Sequence, residues 1–283
     1  MRETGKVCDY MKRGIVTCSL EASLLDIERL LKEQQVSRVV VVDSDGSPVG
    51  IISEKDVTKF VLTDKTMRGF EDVHAKEAMS CGVMNIKPDA RMAQAAQAMT
   101  GMKTSSLLVR NDEPEGIVTK TDVVKYLDTE RCGHYSVGHF MTPNPVTVNP
   151  TQSIFSTIQL MSQNAVSRII VVDDDKKLQG IITLGDFTQM SAYSLINLSK
   201  KLLIRENETS ARFLNRAGDF LDVKVKDFMT EHPLTLGHDS DLADAARLMV
   251  KHNISGLPVT DGHTDLVGVI SKTDITRAAA REA

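Results

Sequence analysis

Two periodicities of apolar residues alternate along this chain, one typical of helices and one typical of buried strands. Leu24, Ile27 and Leu31 recur at spacings of three and four residues, which places their side chains on one face of a helix. Residues 39–42 are four consecutive valines, as expected of a strand that is buried on both faces. The pattern therefore predicts a small buried sheet that is covered by amphipathic helices.

One short phrase recurs four times and closes each copy of this pattern. It consists of a glycine, two apolar residues, a serine or threonine, two variable residues and an aspartate. Its copies occupy residues 50–56, 116–122, 180–186 and 268–274. Four copies of one phrase indicate an internal repeat, and a repeat determines the architecture before any other feature does.

The phrase alone has a second interpretation, because a hydroxyl residue three positions before an acidic residue resembles the capping box of a helix. The carboxylate would then lie at the positive end of the helix dipole. A second recurring sequence feature favours a true repeat. Met11, Met79, Met141 and Met229 precede the four aspartates by 45, 43, 45 and 45 residues. Helix caps alone do not predict a fixed spacing of this length.

Each repeat is predicted to run strand, helix, strand, strand, helix, which makes it a small α/β (α+β) unit with a three-stranded sheet. The predicted units span residues 7–62, 73–128, 136–190 and 223–279. A unit of this size buries too little apolar surface to be stable alone, so we expect the units to pair. The pairs would be two modules, at residues 7–128 and 136–279.

The repeat spacing is interrupted once, between the third and fourth units. About two dozen extra residues lie there, within residues 191–222, and their leucines and isoleucines alternate with lysines and arginines. This pattern indicates a helix. We expect it to be either a connector that lies on its own module or a helix that docks a partner or a second chain.

Composition excludes some classes of function. Aromatic residues make up 4% of the chain and tryptophan is absent, so base-stacking platforms for single-stranded nucleic acid are not expected. The net charge is −4 and the pI is near 6.0, whereas nucleic-acid-binding proteins usually carry a basic face. We therefore do not expect a nucleic-acid partner, although a local basic pocket is compatible with this charge.

Cysteine usage and hydropathy predict a cytoplasmic protein. The four cysteines are scattered along the chain, which is typical of reduced thiols rather than of a disulfide framework. No stretch approaches the roughly 18 apolar residues of a membrane span, and the first residues run into no apolar segment of a secretory signal. We expect a soluble, cytoplasmic chain without membrane association.

No set of residues predicts catalysis or a catalytic cofactor. The glycines form neither a P-loop nor a Gly-x-Gly-x-x-Gly phrase, and no nucleophilic triad is indicated. Cys132, His134 and His139 could suit zinc, but a fourth ligand is missing and the spacing matches no strong pattern. We therefore predict neither an enzyme nor a metal site.

Three features that recur in all four units resemble the cystathionine β-synthase (CBS) domain. They are the methionine phrase, the central apolar strand and the ending Gly-x-x-Ser/Thr-x-x-Asp. The resemblance covers the chain except residues 191–222. It implies four CBS repeats in two tandem pairs, known as Bateman modules. In this layout, with no catalytic domain among the repeats, the chain resembles stand-alone sensors and the γ subunit of AMP-activated kinase.

The resemblance implies a regulatory protein that binds a small nucleotide in up to four clefts between paired units and reports to a partner protein. AMP is the expected ligand, with ADP or ATP as further candidates. Two alternatives stay open: a sensor of S-adenosylmethionine, and an interaction scaffold with vestigial clefts. The partner is an unidentified regulated protein, and the assembly is either a monomeric disk of two modules or a homodimer.

The resemblance also implies which residues line the clefts. The aspartate would hold a ribose through both carboxylate oxygens, the hydroxyl residue and the helix N-terminus would hold a phosphate, and backbone groups of the paired unit would hold the adenine. In the first module the two sets are Asp122 and Thr119 with Val16, Val36, Ser37 and Arg38, and Asp56 and Ser53 with Met84, Thr104 and Ser105. In the second module they are Asp274 and Ser271 with Val146, Val166, Ser167 and Arg168, and Asp186 and Thr183 with Leu234, Ile254, Ser255 and Gly256.

Arg38 and Arg168 distinguish two of the four clefts. Each lies directly before a buried strand, where a charge does not serve packing, and a guanidinium suits a pair of phosphate oxygens. The alternative is a strand start whose aliphatic stem is buried. Ser106 and Gly256 occupy the matching positions of the other units. We therefore expect the two clefts with arginines to be the first to bind a nucleotide. The arginines disfavour S-adenosylmethionine as the ligand, because it has no phosphate for them to contact.

Overall fold

The structure is a computed structural model that describes residues 5–63, 68–130, 135–188, 223–261 and 265–283. The helix predicted within residues 191–222 lies outside the described residues. The predicted α/β fold with four similar units is confirmed. Every helix among the described residues falls short of the length and apolar character that a membrane span requires.

The first module contains two units with the same order of elements. The elements of the first unit are α1 (Val7–Tyr10), β1 (Lys12–Arg13), β2 (Thr17–Ser19), α2 (Leu24–Glu33), β3 (Arg38–Val42), β4 (Pro48–Ser53) and α3 (Glu54–Thr63). The elements of the second are a 3₁₀ turn (Phe70–Asp72), α4 (Ala75–Ala78), β5 (Ser80–Cys81), β6 (Asn85–Ile86), α5 (Met92–Gly101), β7 (Ser106–Arg110), β8 (Pro114–Thr119) and α6 (Lys120–Glu130).

The second module repeats this order. The elements of the third unit are α7 (Val137–Phe140), β9 (Thr142–Pro143), β10 (Thr147–Val148), α8 (Ile154–Gln163), β11 (Arg168–Val172), β12 (Leu178–Thr183) and α9 (Leu184–Thr188). The elements of the fourth are a 3₁₀ turn (Val225–Asp227), β13 (Thr230–Glu231), β14 (Leu236–Gly237), α10 (Leu242–Lys251), β15 (Gly256–Thr260), β16 (Leu266–Ser271) and α11 (Lys272–Ala280).

Each sheet has four strands, three from one unit and one from the unit paired with it. In the first sheet β3 and β4 form an antiparallel hairpin, and β2 runs parallel to β3. The fourth strand, β5, comes from the second unit and pairs antiparallel with β4. The other exchanged strands are β1, β9 and β13. The three strands per unit agree with the prediction, whereas the exchanged strand is an addition that the sequence pattern does not indicate.

The exchanged strand brings together the two most regular marks of the repeat. β5 pairs with β4 at Gly50, and the Met79 side chain covers this glycine so closely that a Cβ atom there would overlap its sulfur. The same packing recurs in the second module, where the pairs are Met229 with Gly180 and Met141 with Gly268. In three of the four repeats a methionine of one unit thus packs on a glycine of its paired unit, whereas Gly116 is covered by the backbone of Lys12. Close packing at each of these glycines explains why the glycine recurs.

The two modules close on each other within one chain. One core joins the second and fourth units, where α5 and α6 pack against α10 and α11 around Met99, Tyr126 and Met249. The other core joins the first and third units and includes Ile27 and Ile158. Because the exchanged strands also join the first unit to the second and the third to the fourth, the four units form a ring.

Candidate functional site

Two clefts lie between paired units, and each gathers one of the predicted sets of residues. The first has a volume of about 790 Å³ and the second about 590 Å³, within the range of small-molecule sites. The first is lined by Val16, Val36, Ser37, Arg38, Thr119 and Asp122. The second is lined by Val146, Val166, Ser167, Arg168, Ser271 and Asp274. The structure thus brings these two sets together, while ligand binding by them stays a prediction.

All four repeated aspartates cap the N-terminus of a helix through one carboxylate oxygen. Asp122 Oδ2 accepts from the backbone N–H and from the hydroxyl of Thr119, both at 2.9 Å. Asp274 Oδ2 accepts likewise from Ser271, at 2.8 and 2.6 Å. The other two pairs are Asp56 with Ser53 and Asp186 with Thr183. The capping interpretation is therefore correct for these carboxylates. The expected ribose contact through both oxygens stays a prediction, in which a ribose hydroxyl at Oδ2 would share that oxygen with the helix cap.

The second oxygen of each cleft aspartate contacts a basic side chain. Asp122 and Asp274 are only 6% and 4% exposed. Lys125 Nζ lies 3.3 Å from Asp122 Oδ1, and Arg277 Nη2 lies 2.9 Å from Asp274 Oδ1. Burial raises the pKa of Asp274, and hydrogen bonding from Ser271 and the charge of Arg277 oppose that rise. A ligand hydroxyl at Oδ1 would share the oxygen with these basic groups.

Arg38 and Arg168 reach across their modules. Arg38 Nη1 donates to the carbonyl oxygen of Ser105 at 3.2 Å, and Arg168 Nη2 donates to the hydroxyl of Ser255 at 3.0 Å. The Nε atoms of both arginines are buried, and neither has a hydrogen-bond partner among the described residues. Burial lowers the pKa of Arg38, and it lowers that of Arg168 to about 10 although Asp274 opposes this. A buried donor without a protein partner suits an acceptor from a ligand.

A small residue opposite Arg168 makes room for its guanidinium. A Cβ atom on Gly256 would overlap Arg168 Nη1, so the guanidinium occupies space that only glycine leaves. Ser106, at the matching position of the second unit, is 3% exposed. The resemblance implies that Ser105, Ser255 and Gly256 contact adenine in the other two clefts. The structure places them against the arginines, and the adenine contacts stay predictions.

The remaining predicted residues line neither of these two clefts, except Ser53, which lines the second. They are Asp56, Met84, Thr104, Thr183, Asp186, Leu234 and Ile254. Asp56 Oδ1 accepts from the Ser80 hydroxyl at 3.4 Å, and Leu234 is 43% exposed. The clefts that these residues were expected to form stay predictions.

Three lysines at helix starts line the clefts and were missed by the sequence analysis. Lys120 and Lys272 directly follow the hydroxyl residue of the repeated phrase, and Lys55 follows it by two positions. Lys272 lines both clefts, whereas Lys55 and Lys120 line the second. A signal was available, because a cation in the first turn of a helix opposes the helix dipole and therefore needs another reason to be there.

Within the described part of the chain, no group of three histidine, cysteine, aspartate or glutamate side chains could hold a metal ion. The zinc arrangement considered from the sequence is not tested, because Cys132 and His134 lie outside the described residues. The charged groups that line the two clefts are carboxylates, guanidinium groups and ammonium groups.

The profile of the CBS domain family matches four segments of this chain. They are residues 7–63, 75–129, 137–192 and 225–281. Protein MJ1225 of Methanocaldococcus jannaschii is 22% identical over 279 residues, which cover 94% of this chain and 95% of that protein. The CBS domain-containing protein CBSX1 of Arabidopsis thaliana is 29% identical over 155 residues, which cover 53% of this chain and 66% of CBSX1. The chain thus spans slightly less than two thirds of this curated relative.

Solved structures share the fold over nearly the whole chain. The crystal structure of MJ1225, described as a proposed archaeal homologue of g-AMPK, covers 97% of this chain and 99% of its own. Its TM-score is 0.77 at 20% sequence identity. A conserved protein from Pyrococcus horikoshii covers 97% of this chain with a TM-score of 0.67 at 18% identity. At these identities the likeness concerns the fold.

Proposed function

This chain belongs to the CBS-domain family, and we propose that it is a non-catalytic regulatory protein that binds an adenine nucleotide in the two clefts between paired repeats. AMP is the first candidate, and ADP and ATP share its recognition elements. Ligand binding would change the packing of the units, and an unidentified partner protein would respond to that change. Such a switch requires that the ligand bind two arrangements of the ring with different affinity.

Each part of the nucleotide has a candidate partner in the first cleft. Asp122 Oδ1 would accept from a ribose hydroxyl, and Arg38 would donate to a phosphate oxygen. The N-terminus of α6 would add backbone N–H groups that favour an anion. Backbone groups of Val36 and Ser37 would contact the adenine. The equivalents in the second cleft are Asp274, Arg168, the N-terminus of α11, Val166 and Ser167.

One observation carries this proposal. Each cleft contains a buried carboxylate, and one of its oxygens is not used in the helix cap. Each cleft also contains a guanidinium whose buried Nε has no hydrogen-bond partner among the described residues. A buried donor that makes no hydrogen bond is costly, and a phosphate oxygen of a nucleotide would accept from it. S-adenosylmethionine has a ribose but no phosphate, and its sulfonium is positive, so the arginines disfavour it.

An interaction scaffold with vestigial clefts is the second candidate, and a specific observation favours it. Lys125 and Arg277 already contact Oδ1 of the two cleft aspartates. If these ion pairs persist in solution, the carboxylates need no ribose. The two candidates differ in whether an adenine ligand stabilises the protein.

Thermal unfolding and calorimetric titration with AMP, ADP, ATP, GTP, adenosine and S-adenosylmethionine test the proposal. A ligand at about 100 times its dissociation constant adds about 2.7 kcal/mol, which raises the melting temperature by about 2–4 °C at this domain size. We expect AMP to produce this rise. Asp122→Asn and Asp274→Asn should each remove binding from one cleft, because the charge that holds the ribose is lost.

Asp26→Asn is the matched control. Asp26 contacts the hydroxyl of Ser23 at the start of α2, at 2.7 Å, and lines neither cleft. This variant should lose a similar capping contact and keep AMP binding. A wild-type protein that no adenine ligand stabilises would favour the scaffold, and equal loss of AMP binding in Asp26→Asn would attribute the effect to helix capping.

A further inference from the structure

Basic side chains from all four units converge at the centre of the ring. They are Arg38, Lys55, Lys120, Arg168 and Lys272, which we call the cationic centre. All five line the second cleft, and Arg38 and Lys272 line the first cleft as well. The two clefts therefore share part of one positively charged wall.

The charge of this wall is not balanced by the residues around it. Six basic and two acidic residues line the second cleft. The acidic residues are Glu54 and Asp274, and Asp274 already accepts from Arg277 and Ser271. A wall in which basic residues outnumber acidic ones by four favours an anion that carries several charges.

Lys55 shows the imbalance most clearly. Among the described residues its ammonium has neither a hydrogen-bond nor an ion-pair partner. Burial lowers its pKa to about 8, and the charges of Arg168, Arg38, Lys120 and Lys272 act in the same direction. All of the resolved influences on this ammonium disfavour its charge, so an anionic ligand would relieve them.

The lysines of the cationic centre are not required by the repeat itself. The third unit has Leu184 and Gly185 at the two positions that follow its hydroxyl residue. The first unit has Lys55 at the second of these positions, and the fourth has Lys272 at the first. A helix can thus start in this fold without a cation, which points to a role for the lysines outside folding.

Reciprocal hydrogen bonds hold two of the lysines in place. Lys120 Nζ donates to the hydroxyl of Thr273 at 3.1 Å, and Lys272 Nζ donates to the hydroxyl of Thr121 at 3.1 Å. These contacts join the second unit to the fourth across the ring. Two ammonium groups are therefore positioned in advance, which lowers the entropy that a ligand must lose on binding.

We propose that the cationic centre is a binding site for a free oligophosphate chain with three or more negative charges, one that needs no nucleoside for binding. A single phosphate dianion would leave much of the positive charge unbalanced, whereas a chain offers an anionic group to each side of the centre. None of the five basic side chains needs a nucleoside to bind phosphate. The inference goes beyond AMP binding in the clefts and does not depend on it.

Isothermal titration of the full chain with sodium tripolyphosphate, without divalent cations, tests this inference. Orthophosphate and sulfate serve as single anions, and ATP distinguishes a nucleotide-borne chain from a free one. We expect tripolyphosphate to bind at one site per chain, about tenfold or more tightly than orthophosphate, because its charges contact several cations at once. Binding should weaken as the salt concentration rises.

Lys55→Met and Lys272→Met should each weaken tripolyphosphate binding about tenfold, as expected for the loss of one charge-assisted contact. Lys251→Met is the control, because Lys251 is exposed at the end of α10 and lines neither cleft. Lys55→Met should also raise the melting temperature of the ligand-free protein, since it removes an unbalanced charge. A lysine with a purely structural role would show the opposite change.

Asp274→Asn separates this inference from the proposed function. The variant should lose AMP from the second cleft but bind tripolyphosphate more tightly, because a carboxylate near the cations is removed. Absence of tripolyphosphate binding in the wild type, or equal loss in Lys251→Met, overturns the inference even where AMP binds. Binding of ATP without binding of tripolyphosphate also overturns it, since the phosphates would then need the nucleoside.

Discussion

Each of the two aspartates that line the clefts uses its two carboxylate oxygens differently. Oδ2 of Asp122 accepts from Thr119 at the helix start, while Oδ1 contacts Lys125. A sequence pattern identifies the residue but not the oxygen, so it cannot separate a helix cap from a ligand site. The surroundings of Oδ1 determine whether the aspartate can also bind a ligand. Asp122 lines the cleft that also contains Arg38.

Also at the residue scale, the lowered pKa of Lys55 predicts a pH dependence of anion binding. The ammonium loses its proton as pH rises through about 8, mainly because burial disfavours the charge. Affinity for tripolyphosphate should therefore fall between about pH 7 and about pH 9, since a neutral amine attracts the anion less. Calorimetric titration at both pH values measures the change, and Lys55→Met should show a smaller one.

The same lysine should affect the free energy of unfolding with a definite sign. Between a pH of about 8 and the ordinary lysine pKa of 10.5, the unfolded chain holds a proton that the folded chain has lost, so this group makes stability rise with pH. Cys18 acts in the opposite direction above its ordinary pKa of 9.0, because burial raises its pKa to about 11. Urea unfolding of wild type against Lys55→Met isolates the lysine, and identical pH profiles would contradict the assignment.

At the scale of elements, the exchanged strands join the paired units through very few residues. β1 pairs with β8 through Lys12 and Arg13, and β5 pairs with β4 through Ser80 and Cys81. A strand of two residues has no measurable periodicity, so hydrophobic patterns cannot predict it. The sequence features that accompany such a strand are the methionine that precedes it and a glycine in the strand with which it pairs; the methionine packs on that glycine in three of the four cases.

This packing predicts that the glycine cannot be enlarged without loss of stability. A Cβ atom on Gly268 would lie 2.5 Å from Met141 Sδ and 3.0 Å from the carbonyl oxygen of Thr142. Gly268→Ala should therefore lower the free energy of unfolding by about 1–3 kcal/mol, as overpacking of a core does. Gly101→Ala is the control, because no atom would lie within 4 Å of its Cβ. Equal urea midpoints for the two variants would show that the strand and the methionine can shift.

At the scale of the whole molecule, ring closure creates the cationic centre. The second cleft is lined by basic residues from all four units, and no single module contains the full set. The cores that join the second unit to the fourth and the first to the third determine where these residues meet. Both proposals therefore depend on the ring, although the nucleotide clefts lie mainly within one module each.

Ring closure also predicts that the protein is a monomer. The helices α5 and α6, which a lone module would offer to a second chain, already pack against α10 and α11. Multi-angle light scattering should therefore give a mass of 31.1 kDa. A mass of two chains would contradict this prediction.

The sequence by itself determined the number of units and the α/β class, because hydrophobic periodicity and a recurring phrase of seven residues record these local features directly. The residues assigned to the clefts came from the resemblance to the CBS domain, and their contact with a ligand stays a prediction. Only the tertiary structure decided the strand exchange, the packing of Arg168 over Gly256, and the meeting of Lys55 with Lys120 and Lys272. These contacts join residues that are far apart in the chain, and they depend on how whole units pack, which no local pattern records.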